Sequence, residues 1–175
     1  MDDWSRDGRY IILSAISPKT KFDVWVMPTF GDRKPFPYLQ TEFNELFAKL
    51  SPDARWLAYT SDESKRNEVY VQTFPKPGGK WQVSTNGGDR PVWSRDGKEL
   101  YFLGAGGKLM AVEVADGANF QAGLPKPLFN PHFGLSVNNW FDVSKDGRFL
   151  IPVQLEQSAN APMTVVLNWP AMLKK

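Results

Sequence analysis

The 175-residue sequence contains no cysteine. That excludes a disulfide framework and any thiolate metal site, and it fits either redox compartment. Histidine is nearly absent too, with His132 the single copy. The formal net charge is only +2. This is too small for the electrostatic footprint of a duplex-binding protein, so no nucleic-acid partner is expected. No apolar run approaches the roughly 20 residues of a membrane helix, so no membrane segment is expected in this chain. The opening Met1-Asp2-Asp3-Trp4 has neither a basic region nor an apolar signal core.

What is abundant points one way. Hydrophobic residues make up 42 % of the chain and aromatics 14 %, too apolar for disorder and weighted toward strand formers. Fourteen glycines and fourteen prolines imply many turns.

One phrase recurs. "WSRDGRYIIL" starts at Trp4 and returns as "LSPDARWLAY", "WSRDGKELYF" and "VSKDGRFLIP". The acidic anchors are Asp7, Asp53, Asp96 and Asp146, spaced by 46, 43 and 50 residues. Periods of this length belong to propeller blades or helical arrays. The content decides for blades. Two residues after each anchor stands a base (Arg9, Arg55, Lys98, Arg148), and four after it an aliphatic (Ile11, Leu57, Leu100, Leu150). A short apolar run after a turn reads as a strand covered on both faces. A second run follows in each copy: "FDVWVMP", "NEVYVQTF", "GKLMAVEV" and "MTVVLNW". Weaker outer strands are expected near "PFPYL" and "KWQVST", with a trace in "KPLF". Strands are therefore expected near residues 9–14, 22–27, 55–60, 68–74, 98–103, 108–114, 148–153 and 163–168.

One stretch reads differently on its own. "EFNELFAKL" places Phe43, Leu46, Phe47 and Leu50 at helical spacing. In repeat register it falls where the other copies carry an inner strand, so strand is expected there. Ser-X-Asp-Gly has the chemistry of a type I turn closed by a left-handed glycine. The second copy has Ala54 in place of that glycine. The four aspartates are thus turn residues rather than catalytic ones.

The pattern S-[PR]-D-G, a base, an apolar strand and then [DE]-V-[WY]-V resembles the repeat of TolB-like β-propellers, which are WD-repeat-like. Its second element stands here as Asp23-Val24-Trp25-Val26 and Glu68-Val69-Tyr70-Val71, whereas Lys108-Leu109-Met110-Ala111 and Met163-Thr164-Val165-Val166 depart from it. "SPDARWLAYTSDESKRNEVYVQTFP", "WSRDGKELYF" and "TVVLNWPAMLKK" also resemble the C-terminal propeller of some bacterial serine/threonine protein kinases. Those propellers lie outside the membrane, which implies a periplasmic or extracytoplasmic location if the parent is of that kind. The sequence has neither a kinase Gly-rich loop nor an H-R-D loop, so kinase activity does not carry over. The expected fold is all-β: a partial β-propeller of about four antiparallel-meander blades. It reads as one fragment, 1–175, in units of approximately 1–40, 41–86, 87–130 and 131–175, the C-terminal half of a larger ring.

Catalytic signals are thin. Nucleophilic catalysis needs a base beside a nucleophile, and no G-x-S-x-G elbow occurs. "GAGGKL" lacks the phosphate-loop spacing and joins two strands, so it reads as a glycine turn. Trp25, Tyr70, Trp93 and Tyr101 recur at strand positions and read as core between blades. The candidates come from position. Connections entering the inner strands gather at the channel mouth, and they hold Glu45, Asp89, Arg90, Asn138 and Asn139, with His132 in the longest connection. The expectation is a non-catalytic binding or interaction module without cofactor or metal. Its ligand would be a protein, a peptide or a small molecule at that mouth. A kinase-linked sensor and the gating propeller of a prolyl-oligopeptidase-like peptidase are the alternatives. Open terminal faces also allow a homodimer that closes the ring.

Overall fold

The computed structural model describes residues 1–115, 117–131 and 141–152. The first sheet runs β1 (Asp3–Trp4), β2 (Tyr10–Ser17), β3 (Lys21–Pro28) and β4 (Phe36–Leu39). The second runs β5 (Glu45–Leu50), β6 (Trp56–Ser61), β7 (Glu68–Thr73) and β8 (Lys80–Gln82). The third runs β9 (Gly88–Trp93), β10 (Glu99–Gly104), β11 (Leu109–Glu113) and β12 (Lys126–Phe129). A fourth sheet is entered by β13 (Asp142–Val143) and β14 (Phe149–Leu150). All pairings are antiparallel between chain neighbours, as in a propeller blade. No α-helix occurs among the described residues, and the last six residues of "EFNELFAKL" form the strand β5. The expected strand at 163–168 lies outside the described residues.

The repeated phrase builds the same turn each time. The N–H of Gly8, Ala54, Gly97 and Gly147 donates to the carbonyl of the serine three residues earlier, at 2.8–3.1 Å. Each of these four residues has positive φ, between 54° and 78°. The serine does more than begin the turn. Its hydroxyl donates to the turn aspartate in all four copies. In the first three copies it also accepts the N–H of the residue five positions on: Tyr10, Trp56 and Glu99. Serine and aspartate together thus fix the point at which the second strand begins. These bonds hold the carboxyls of Asp7 and Asp96 below the usual carboxylate range, the serine hydroxyl being the main cause.

Ala54 at φ 54° carries a Cβ in a conformation that glycine adopts freely. Ala54→Gly is expected to raise stability by up to about 1 kcal/mol. Gly97→Ala is expected to lower it by a similar amount or more, since its new Cβ would stand 3.3 Å from Pro52 Cδ. Urea unfolding of both variants checks this. Unmoved midpoints would contradict the shared geometry.

The core lies between sheets. Side chains alternate along a strand, so Leu57 and Tyr59 face the first sheet while Trp56 and Ala58 face the third. Ile12, Val24 and Val26 meet Leu57, Tyr59 and Tyr70 at the first junction. Val69 and Val71 meet Leu100, Phe102 and Val112 at the second. Tyr101, Leu109 and Ala111 meet Phe141 and Val143 at the third. Tyr70, Trp93 and Tyr101 are accordingly buried, and Trp25 in the first sheet is half-buried.

Candidate functional site

The inner strands β5 and β9 share an irregularity. Their burial patterns coincide, with residues 45, 48 and 50 buried in one and 88, 91 and 93 in the other. A step of three followed by a step of two marks one inserted residue, and the pairing register shifts in both strands. The insertion is a β-bulge, which bends a strand and re-aims a side chain. It accommodates Pro91, which a regular central strand would not. At its centre stand Phe47 and Arg90, both at φ 54°. Non-glycine residues rarely adopt this conformation, and strain of this kind clusters at functional sites.

The two residues meet. The Arg90 guanidinium lies 4.0 Å from the centre of the Phe47 ring. Both line a cavity of about 650 Å3, together with Trp4, Lys49, Trp93, Phe141 and Asp142. All four inner strands contribute to its wall. Several bonds hold that wall in place. The Trp93 indole N–H donates to the Lys49 carbonyl at 3.0 Å. The Leu50 N–H donates to Asp3 Oδ2 at 2.8 Å, and Lys49 Nζ lies 3.9 Å from Asp3 Oδ1. Burial nonetheless pushes the Asp3 carboxyl above its usual range. On the far side Arg95 Nε donates to the Val143 carbonyl at 3.2 Å. The result is a concave wall with aromatic surface and several cationic side chains, the composition of a ligand cleft.

The expected residues fall in different places. Arg90 lines the cavity. Glu45 and Asp89 stand where the inner strands begin, whereas the cavity lies toward the ends at which those strands leave. Asp89 Oδ1 accepts from Thr60 Oγ1 at 3.1 Å and from the Arg90 N–H at 2.9 Å, and burial raises its carboxyl. His132, Asn138 and Asn139 lie outside the described residues. Sequence reasoning missed Phe47 and Lys49 and read Trp93 only as core. The single signal for the first two was the broken alternation of "EFNELFAKL", which the bulge produces.

Glu45 belongs to a junction between sheets. It pairs with Ser61 as Gly88 pairs with Gly104 in the next sheet, so the two positions are equivalent. At the Gly88 junction, Glu68 accepts hydrogen bonds from Arg66 Nε at 2.6 Å, the Gly87 N–H at 2.9 Å and the Ser84 hydroxyl. A Cβ on Gly88 would stand 2.6 Å from Ser84 Cβ. At the Glu45 junction a shorter acid, Asp23, stands where Glu68 stands, and Glu45 stands where Gly88 does. Asp23 Oδ2 accepts from Thr20 at 2.8 Å and Gln40 at 2.9 Å, and Thr41 donates to Glu45 Oε1. Asp23 Oδ1 and Glu45 Oε2 are buried without a hydrogen-bond partner. Burial raises the Glu45 carboxyl above its ordinary range, and the negative charges of Asp23 and Glu63 add to the effect.

A carboxyl whose folded pKa is raised stabilises fully below its unfolded pKa, and that stability is lost as pH rises through the folded value. Glu45→Gln is expected to remove this loss. The variant should gain on the wild type progressively from pH 4 toward neutrality in thermal unfolding. A constant gap across that range would contradict the assignment.

No family model and no curated protein matches the chain. Solved structures do match. A structure assigned to TolB of Agrobacterium tumefaciens aligns with TM-score 0.57 at 18 % identity, covering 72 % of this chain and 48 % of that one. A structure assigned as a 6-phosphogluconolactonase of Bacteroides uniformis aligns with TM-score 0.58 at 15 % identity, covering 86 % and 46 %. TolB of Acinetobacter baumannii aligns with TM-score 0.49 at 18 % identity, covering 86 % and 47 %. The chain thus spans about half the length of each of these proteins. Its fold is a partial, TolB-like β-propeller.

Proposed function

We propose that the chain is a non-catalytic binding module that holds a peptide or small molecule in the cavity between its inner strands. The strained Phe47–Arg90 pair carries this reading. Two non-glycine residues at equivalent positions both adopt left-handed backbone, and both face the same cavity. Strain repeated in two sheets needs a compensating use, and pre-organised recognition is one. Trp4, Trp93 and Phe141 supply apolar surface for a ligand, and Arg90 and Lys49 supply donors for a carboxylate or carbonyl. Sequence likeness to kinase-linked propellers fits the same role, since a sensor also binds without turning over its ligand.

The test is an NMR titration with a mixed peptide library and a sugar-acid lactone, observed at the Trp93 indole N–H. Binding should shift that signal, and Arg90→Gln should weaken the effect about tenfold or more. Shifts confined to surface loops would refute the site. Turnover of peptide or lactone by the purified chain would refute the non-catalytic reading.

A further inference from the structure

The junction between the first two sheets buries two carboxylates. Strands β3 and β5 pack on each other there, and Asp23 and Glu45 are 0 % and 2 % exposed. Each carboxylate uses one oxygen only. Thr20 and Gln40 donate to Asp23 Oδ2, and Thr41 donates to Glu45 Oε1. Asp23 Oδ1 and Glu45 Oε2 are buried with no hydrogen-bond partner, and a buried orphan of this kind costs free energy. No salt bridge reaches either acid among the described residues. The repeat shows what is missing. Two residues before Glu68 stands Arg66, whose guanidinium donates to Glu68 Oε1 at 2.6 Å and neutralises it. Two residues before Asp23 stands Lys21, which is exposed and whose charge acts on Asp62. Glu63 adds a further negative charge near Glu45, but its carboxylate is bonded to Lys80 Nζ. The second junction thus holds one carboxylate with its cation. The first holds two carboxylates with none.

We infer that Asp23 and Glu45 form a site for a hard divalent cation, calcium above all, bound by the two orphan oxygens. The donor chemistry selects that class. The groups gathered here are two carboxylates, the Thr20 and Thr41 hydroxyls and the Gln40 amide. Calcium takes oxygen ligands of these kinds, whereas zinc and copper favour imidazole and thiolate. Charge selects a dication over a proton. One shared proton would join the two orphan oxygens but leave a net negative charge buried, whereas a dication neutralises both acids. It also removes the repulsion by which Asp23 raises the Glu45 carboxyl. Among the described residues no third acid or histidine completes a metal-binding group. The remaining ligands are then neutral oxygens and water. So few charged ligands place the dissociation constant in the weak range, about 10⁻⁴–10⁻³ M. The site lies at the opposite end of the inner strands from the Phe47–Arg90 cavity and does not depend on what that cavity binds.

The test strips the purified chain with chelator and titrates it with calcium chloride at neutral pH and constant ionic strength. Calorimetry should show one site per chain. The thermal midpoint should rise by about 3–6 °C at ten times the dissociation constant. Glu45→Gln and Asp23→Asn should each raise that constant more than about tenfold. Glu113→Gln should not, because that carboxylate lies at the surface beside Lys126. Far-UV circular dichroism separates loss of binding from loss of fold. Without calcium Glu45→Gln is expected to be the more stable chain, and with calcium the wild type should close that gap. A wild type that ignores calcium would overturn the inference, and so would an equal response in Glu45→Gln. Stabilisation by Glu45→Gln together with an indifferent wild type would assign the pair a shared proton instead of a cation.

Discussion

Glu68→Ala is expected to lower stability by about 3 kcal/mol, from hydrogen bonds lost inside a junction. The Glu68 side chain is fully buried and accepts from three donors. Its removal strands the Gly87 N–H and the Ser84 hydroxyl and leaves a void between the second and third sheets. At roughly 2–4 °C per kcal/mol for a chain of this size, the midpoint should fall by about 10 °C. Arg66 contributes little of this, because its side chain is 56 % exposed and is resolvated when the carboxylate is gone. Glu68→Gln should cost less, since the amide oxygen still accepts one bond. If Glu68→Ala left the midpoint within 2 °C of wild type, the buried network would be misassigned.

Gly88→Ala is expected to cost about 2 kcal/mol by overpacking. The added Cβ meets the Ser84 side chain and stands 3.1 Å from Val69 Cγ2. Ser84 cannot move freely, because its hydroxyl accepts the Val69 N–H at 2.7 Å and donates to Glu68. The neighbouring junction shows how the fold accepts a side chain here: Asp23 stands in for Glu68 where Glu45 stands in for Gly88. Glu68→Asp combined with Gly88→Ala should therefore be less destabilised than the sum of the single changes. Strict additivity in a double-mutant cycle would show that the two positions do not share one space.

Most of the fold was legible because one phrase recurs at a blade-length period. The turn aspartates locate the first hairpin of every sheet, and the apolar runs after them became β2, β6, β10 and β14. Even the weak outer traces became β4, β8 and β12. The candidate site was less legible, for a physical reason. A β-bulge centred on a positive-φ phenylalanine or arginine has no dedicated residue type, unlike a left-handed glycine. Its trace is a break in alternation, and in β5 that break imitates a helical period. The end of the channel that holds the cavity was equally hidden, because it depends on how β5 and β9 run on past their bulges. Glu45 was legible as a polar residue at an inner-strand entrance. Its burial followed from what Gly88 does at the equivalent position.

Successive antiparallel sheets pack face to face in chain order, each through one aromatic-rich junction. Aromatic-resolved NOE spectroscopy tests it most directly. The structure predicts ring-to-ring contacts across all three junctions: Tyr10 with Phe74 at 5.0 Å between centroids, Trp56 with Phe120 at 5.5 Å, and Tyr101 with Phe149 at 5.0 Å. Observation of all three cross-peaks is the predicted result. Loss of these peaks in a spectrum that keeps the strand NOEs within each sheet would contradict the account, because the sheets would then be formed but not stacked in this order.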